Sequence, residues 1–264
     1  RKFPDVIFQI GDVKDKESVL QALNEYKPDV VINTAALKHV PICEDNPYES
    51  VKTNIIGHKN LIDCVNLSKH QIKVLMFIST DKAANPTSVL GYSKRVADFL
   101  TSHIGIEAEI GSYISVRFGN VLGSRGSVLV SFRDQIRRGG PVTVTHPEIT
   151  RYFMTVQEAV QLVIQAGAIG QSGEVLVLDM GQPVKIQDVA RRLISQTGEN
   201  IEIVYTGLRP GEKLHEELFG NDEIDERPRH SLISHSAVPP LDPEELPKKE
   251  SVSYRWMVDV CASK

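Results

Sequence analysis

The chain carries no G-x-G-x-x-G, the glycine loop that opens a dinucleotide-binding fold. The first strand, the phosphate loop and the acidic residue that reads a ribose would all precede Arg1, so a dinucleotide site in this sequence is at most partial. Arg1, not methionine, stands first, and a longer parent protein is the expectation. Cys43, Cys64 and Cys261 are the only cysteines, widely spaced and without C-x-x-C; this excludes a disulfide scaffold and suits reduced thiols in cytoplasm. The eight histidines show no ligand spacing on a helix, and His230 and His235 lie five apart, so no metal site is expected. No apolar run reaches the ~18 residues of a membrane span, and no signal peptide is expected from this stretch. No Lys/Arg run exceeds two, and 30 basic against 34 acidic residues give a net charge of −4, which argues against nucleic acid as a partner.

What is present suits a globular protein: 264 residues, 41% hydrophobic and 24% charged, enough to bury one large core with a smaller lobe. Val6 to Ile10, Asp29 to Ala35, Val74 to Ser79 and Gly111 to Phe118 read as strands, the middle two fully buried because β-branched and apolar residues run without alternation. Helical patterns fill the gaps over Lys16 to Tyr26, from Asn46-Pro47 to about Ser68, and over Val89 to His103. Strands alternating with helices at this spacing require a parallel sheet covered on both faces. Shorter pieces follow: a helix over Ser127 to Arg138, a strand over Pro141 to His146, a helix from the capping box Thr155-x-x-Glu158 to about Ala168, a strand over Glu174 to Asp179, a helix over Gln187 to Gln196 and a strand over Ile201 to Thr206. The expected division is a partial dinucleotide domain over 1–140, a substrate lobe interleaved with the sheet over 141–238, and a proline-rich polar tail or linker over 239–264.

Ser79-Thr80-Asp81-Lys82 ends the Val74 strand with a hydroxyl, a carboxyl and an amine on consecutive residues, an acid/base cluster at the place where parallel sheets bind ligands. Lys94 stands where the lysine of a Tyr-x-x-x-Lys dehydrogenase pair would stand, while Leu90 fills the tyrosine slot. Other segments carry two readings each. Gly11-Asp12-Val13 is a turn or an adenine contact through the Asp12 carboxylate; Ala35-Ala36 packs tightly or lets a cofactor approach the backbone. Lys38-His39 is a solvated pair or a ligand contact, and Asn54 a core amide or a site residue. Gly123 to Ser127, with Arg125 between its glycines, is a loop or a phosphate seat. Arg209 to Lys213 is a surface turn or a clamp for a phosphorylated ligand.

Taken together, Ala35 to Pro41, Ser79 to Lys82, Arg117 to Ser124, Thr145-His146-Pro147, Thr150 to Thr155 and Leu208 to Leu214 resemble the nucleotide-sugar 4,6-dehydratases of the extended short-chain dehydrogenase/reductase superfamily, in the branch tied to bacterial polysaccharide synthesis. The resemblance implies a Rossmann-like doubly wound sheet lacking its first βαβ unit, bound NAD or NADP, and a UDP-sugar substrate, typically UDP-N-acetylglucosamine. It implies Thr80, Asp81 and Lys82 as catalytic residues. Cofactor contacts fall to Asp12, Val13, Ala35, Ala36, Lys38, Asn54, Ser79 and Lys94, and substrate contacts to His39, Asn120, Arg125, Arg151, Arg209 and Glu212. In that assignment Lys82 waits neutral as the base and Asp81 protonated as the acid. Leu90 points to the long, membrane-anchored forms that keep the C5 configuration, so the expected location is the cytoplasm, or the cytoplasmic face of the inner membrane if spans lie upstream. A homo-oligomer is expected. Two other readings stand beside it: a nucleotide-sugar 4-epimerase, which needs neither an acid at C6 nor a base at C5, and an inactive dinucleotide-fold regulator.

Overall fold

The computed structural model describes residues 5–124, 126–247 and 252–264. In chain order the first half runs α1 (Lys16–Tyr26), β1 (Val30–Asn33), α2 (Val40–Asp45), α3 (Pro47–Ser50), a π-helical turn Val51–Ile56, α4 (Gly57–Leu67), β2 (Val74–Ile78), α5 (Val89–Glu107) and β3 (Ser112–Arg117). The second half adds β4 (Asn120–Val121), α6 (Val128–Arg137), β5 (Val142–Val144), β6 (Thr150–Arg151), β7 (Phe153–Met154), α7 (Val156–Ile169), β8 (Val175–Leu178), β9 (Val184–Lys185), α8 (Ile186–Ser195), β10 (Ile203–Tyr205), β11 (Glu226–His230), β12 (Ile233–Ser236) and α9 (Tyr254–Ser263).

The main sheet has the order β1-β2-β3-β8-β12-β11. Its first four strands are parallel, and β12 and β11 close it antiparallel. Both faces are covered, as the strand sequences require. Leu75, Tyr113 and Val175 join one cluster with Leu61 of α4, Phe99 of α5 and Met257 of α9. Met76, Ile114, Val116 and Leu176 join another with Leu162 and Ala166 of α7. A separate small core of Phe132, Ile136, Val142, Val144, Ile186 and Ala190 holds α6, α8 and the β5–β10 pair together as a second lobe. The Thr155–Glu158 capping box that starts α7 forms with both of its reciprocal bonds. Among the described residues no helix is long and apolar enough to cross a membrane.

Three expectations change. Val6 to Ile10 forms no strand; it has no ladder partner among the described residues, and Phe8 and Ile10 are exposed. In consequence β1 is the outer strand rather than a fully buried one, with Val30 50% and Ile32 45% exposed. The expected tail is instead part of the core. Leu241, Val252 and Met257 are buried in the first cluster, and α9 packs on α5. The apolar positions that do this are too sparse among prolines and charges to mark the segment as packed.

Behind the sheet lies a charge cluster that local pattern does not reveal. Arg117, the last residue of β3 and fully buried, donates from Nε to Asp98 of α5 at 2.8 Å and from NH1 to both oxygens of Glu223 at 2.8 and 2.9 Å. Arg95 also pairs with Glu223. Burial opposes the guanidinium charge, but Asp98 and Glu223 outweigh it and hold Arg117 above its ordinary pKa. The cluster fastens the segment that follows the site to the rigid sheet. Arg117→Leu, which strands the buried Asp98 carboxylate and leaves Glu223 with Arg95 as its remaining guanidinium, is expected to cost about 3–5 kcal/mol in urea unfolding. A loss below about 1 kcal/mol would show the cluster to be structurally idle.

Candidate active site

The site forms where β2 runs out. Ser79 N still donates to Val116 O at 2.8 Å and Asp81 N to Phe118 O at 3.2 Å, so the chain leaves the sheet on a fixed path. Thr80 is extended and caps a single 3₁₀ turn over Asp81–Ala83, its hydroxyl accepting from Lys82 N. The same hydroxyl donates to Asp81 Oδ1 at 2.9 Å, and Lys82 Nζ donates to that oxygen at 3.0 Å. Helix α5 begins directly against this turn. A Cβ on Gly91 would lie 2.5 Å from Lys82 O, so only glycine permits the approach. Two otherwise orphaned donors at its start are satisfied by side chains: Gly91 N by Ser88 Oγ and Val89 N by Glu44 Oε1.

Two cavities open from this point and share Lys38, His39, Lys82, Asn120 and Gly126. The first, about 240 Å³, is rich in cations: Lys38, Lys82, Arg151, Arg209 and Lys213 line it against the carboxylates Glu212 and Glu216. The second, about 340 Å³, has an apolar wall of Ala36, Ile78, Leu90, Phe118, Val121 and Phe153; Ser79, Thr80 and Lys94 add polar groups to those of the shared Lys38, His39, Lys82 and Asn120. Ser79 Oγ is buried and has no hydrogen-bond partner among the described residues. Lys94 Nζ donates to Ile78 O at 2.7 Å and lies 4.3 Å from the centre of the Phe77 ring. Burial, opposed by Asp98, pulls the Lys94 pKa down to about 8. Leu90 is buried and supplies no hydroxyl where the tyrosine of a dehydrogenase would stand.

Lys82 differs from its expected neutral state. Burial favours loss of its proton, but Asp81 and Glu216 outweigh burial and the opposing charge of Arg151, and its pKa rises above the ordinary lysine value. Sequence reasoning missed Glu216, whose Oε1 lies 3.2 Å from Lys82 Nζ. It follows the Arg209 to Glu212 motif by four residues, and no local spacing ties it to Lys82.

The remaining expected residues separate into three groups. Lys38, His39, Asn120, Arg151, Arg209 and Glu212 all line the cation-rich cavity, and Ala36, Ser79, Thr80 and Lys94 the apolar one. Glu212 is engaged within the protein by Arg151 NH2 at 3.3 Å, Thr145 Oγ1 at 3.3 Å and Arg209 N at 3.2 Å. Asp12, Val13, Ala35, Asn54 and Asp81 line neither cavity. Asn54 is a satisfied core amide: it accepts from Leu37 N and donates to Leu37 O and Ser93 Oγ, bracing the loop after β1. Asp12 is exposed and accepts from Lys14 N. Arg125 lies outside the described residues.

The sequence profile of a family described as polysaccharide biosynthesis protein matches residues 2–237. The chain is 51% identical over 218 residues to the capsular polysaccharide biosynthesis protein CapD of Staphylococcus aureus, covering 81% of this chain but 36% of that protein. It is 35% identical to the UDP-N-acetylglucosamine 4,6-dehydratase (inverting) of Campylobacter jejuni, over 83% of this chain and 64% of the relative. A UDP-glucose 4-epimerase of Rickettsia canadensis is 34% identical over 84% and 64%. Among solved structures, Pen from Bacillus thuringiensis superposes with a TM-score of 0.82 at 32% identity, over 100% of this chain and 83% of its own. DesIV, a dTDP-glucose 4,6-dehydratase from Streptomyces venezuelae solved with NAD, shares the fold with a TM-score of 0.74 at 18% identity, over 83% of this chain and 72% of its own.

The buried Lys94 charge is a burden on the fold. Its depressed pKa means that the unfolded chain binds the extra proton between about pH 8 and the ordinary lysine range, so this burden is full below pH 8 and is relieved as pH rises through that window. Lys94→Met is therefore expected to raise Tm at pH 7 by roughly 3 °C or more, with the gain shrinking toward pH 10. A lower Tm at pH 7 would show that Lys94 stabilises the protein.

Proposed function

We propose that this chain, which belongs to the polysaccharide biosynthesis protein family, is the core of an NAD(P)-dependent 4,6-dehydratase acting on a UDP-N-acetylhexosamine. UDP-N-acetylglucosamine is the favoured substrate, with the C5 configuration kept. The observation that carries this reading is the position of Lys82 on the seam between a cation-rich cavity and an apolar-walled one, with carboxylates at 3.0 and 3.2 Å. Oxidation at C4 alone, or 4-epimerisation, uses no acid–base pair beyond the reacting hydroxyl. Removal of water across C5 and C6 needs a base at one carbon and an acid at the other.

A dinucleotide's nicotinamide end fits the second cavity on three grounds. The apolar wall suits the ring, the unpartnered Ser79 Oγ offers a hydrogen bond, and the Lys94 ammonium has donors left for ribose hydroxyls. When bound, that group would supply the acceptor for a hydride from C4 and its return to C6. The chain's own residues do the rest. Arg209, Arg151 and Lys38 hold the diphosphate, where planar and point cations together match its charge. Thr80 hydrogen-bonds the C4 hydroxyl and relays its proton to the Asp81 carboxylate, which it already contacts at 2.9 Å; Lys82, once its ammonium has shed a proton to solvent, takes the C5 proton, and Asp81 gives the relayed proton to the departing C6 oxygen. Leu90 supports retention at C5 through resemblance, since an apolar residue in the tyrosine slot is the mark of the forms that keep that configuration.

A 4-epimerase is the second reading, favoured by the Rickettsia relative at nearly the same identity as the dehydratase. Mass separates them. The full-length protein is expected to convert UDP-N-acetylglucosamine to a product lighter by one water, with no net reduction of NAD(P)+. A product of unchanged mass, or stoichiometric reduced cofactor, would contradict the assignment.

A further inference from the structure

Two carboxylates line the cation-rich cavity, and their bonding differs. Glu212 is saturated: Oε1 accepts from Thr145 Oγ1 and Arg151 NH2, and Oε2 accepts from Arg209 N. Glu216 is buried more deeply, its side chain 3% exposed. Both of its cationic neighbours lie against one oxygen, Lys82 Nζ at 3.2 Å and Arg151 Nε at 3.7 Å from Oε1. Oε2 is buried and has no hydrogen-bond partner among the described residues. The two ion pairs pin the side chain in place, yet they leave one acceptor withdrawn from water and unanswered, which is unfavourable until a donor arrives.

The position of that oxygen limits which donor can reach it. Lys82 lines both cavities, whereas Glu216 lines only the cation-rich one assigned to the diphosphate. In the dehydratase reading, on which this inference rests, Thr80 holds the C4 hydroxyl, Asp81 serves the C6 oxygen and the C5 hydrogen faces Lys82. The donors left on a UDP-N-acetylhexosamine are the C3 hydroxyl and the C2 amide N–H. C3 adjoins C4, the carbon that must face the nicotinamide cavity. C2 adjoins the anomeric carbon, which carries the diphosphate. An acceptor beside Lys82 on the diphosphate side therefore meets the substituent at C2.

We propose that Glu216 is a specificity-determining residue whose Oε2 accepts the acetamido N–H at C2, so that the site selects UDP-hexoses carrying a hydrogen-bond donor at that carbon. A carboxylate makes a stronger hydrogen bond than a neutral acceptor. A sugar without the donor would cover Oε2 and leave it bare, and a buried polar group left unpaired is what makes such a site reject the analogue. The bond to C2 uses the oxygen that Lys82 and Arg151 do not touch, so the ammonium of Lys82 keeps its partners while the substrate is read.

The test is a thermodynamic cycle on affinity in the full-length protein loaded with reduced cofactor, which blocks oxidation of the sugar. Calorimetry gives Kd for UDP-N-acetylglucosamine and for UDP-2-deoxyglucose, which has no donor at C2, in wild type, Glu216→Ala, the isosteric Glu216→Gln and Glu212→Gln. Wild type is expected to bind the donor-bearing sugar about 10- to 100-fold more tightly. In Glu216→Ala that ratio should fall at least about fivefold; contacts of the acetyl group and any general loosening of Lys82 or Arg151 cancel in the cycle. Glu216→Gln, a neutral acceptor of the same shape, should lose at least about threefold of the preference, and Glu212→Gln should keep it within about twofold. A wild-type ratio near one, an undiminished ratio in Glu216→Ala, or an equal fall in Glu212→Gln would overturn the proposal. Should the alanine variant fail to fold, an undiminished ratio in Glu216→Gln overturns it alone. Dehydration is measured separately with oxidised cofactor: absence of water loss overturns the dehydratase reading, whereas water loss beside an unchanged ratio in the Glu216 variants overturns this inference alone.

Discussion

One ammonium between two carboxylates organises this molecule. Lys82 draws together the loop that ends β2, which carries Asp81, and the segment past Arg209, which carries Glu216. Arg151 extends the chain of charges from Glu216 to Glu212, and so to the wall of the cation-rich cavity. Charges this deeply buried are costly unless each is paired in good geometry. The same pairing that offsets the cost fixes the second lobe against the sheet and places an acid–base group at the junction of both cavities. Removing one member leaves its partner as an uncompensated buried charge, so architecture and chemistry fail together.

The surrounding protein keeps that arrangement rigid. Arg117, Asp98 and Glu223 anchor the chain a few residues after Glu216 to β3 and α5. Gly91 lets α5 start in contact with Lys82 O, and the same helix presents Leu90 and Lys94 to the apolar cavity. On the far side of the sheet's first strand, Asn33 Nδ2 meets His58 Nδ1 at 3.0 Å and His58 Nε2 meets Thr101 Oγ1 at 2.8 Å, tying β1, α4 and α5 through one buried imidazole. Burial, with Lys94 adding to it, holds the His58 pKa near 3, so this imidazole stays neutral. A site whose neighbours are locked in this way is preorganised, which is what acid–base chemistry at two adjacent carbons demands.

The sequence made the parts that depend on local pattern legible. Buried strands, the capping box at Thr155 and the helix from Val89 follow from periodicity and caps, and Ser79 to Lys82 stand out because polar residues interrupt an apolar run at a strand end. Pairings between distant segments leave no such mark. Glu216 and Lys82 are 134 residues apart by their numbers, and Arg117 and Glu223 106 apart; each is an ordinary charged residue until the fold joins them. Val6 to Ile10 fits a strand pattern but finds no ladder partner among the described residues, and residues 239–264 look like a linker because their few core positions are separated by prolines and charges.

Relatives named as dehydratases and as epimerases match this chain at nearly equal identity, so similarity alone does not choose the reaction. The arrangement around Lys82 does favour one, since a base for C5 is idle in an epimerase. The most direct measurement is therefore the fate of hydrogen at C5 when the full-length protein turns over UDP-N-acetylglucosamine in deuterium oxide. Proton NMR of the product is expected to show deuterium at C5, delivered through Lys82, and none at C6, where the hydride from C4 returns within the same molecule. A product of unchanged mass that keeps its original hydrogen at C5 would mean that Lys82 is no base and that the site performs a different reaction.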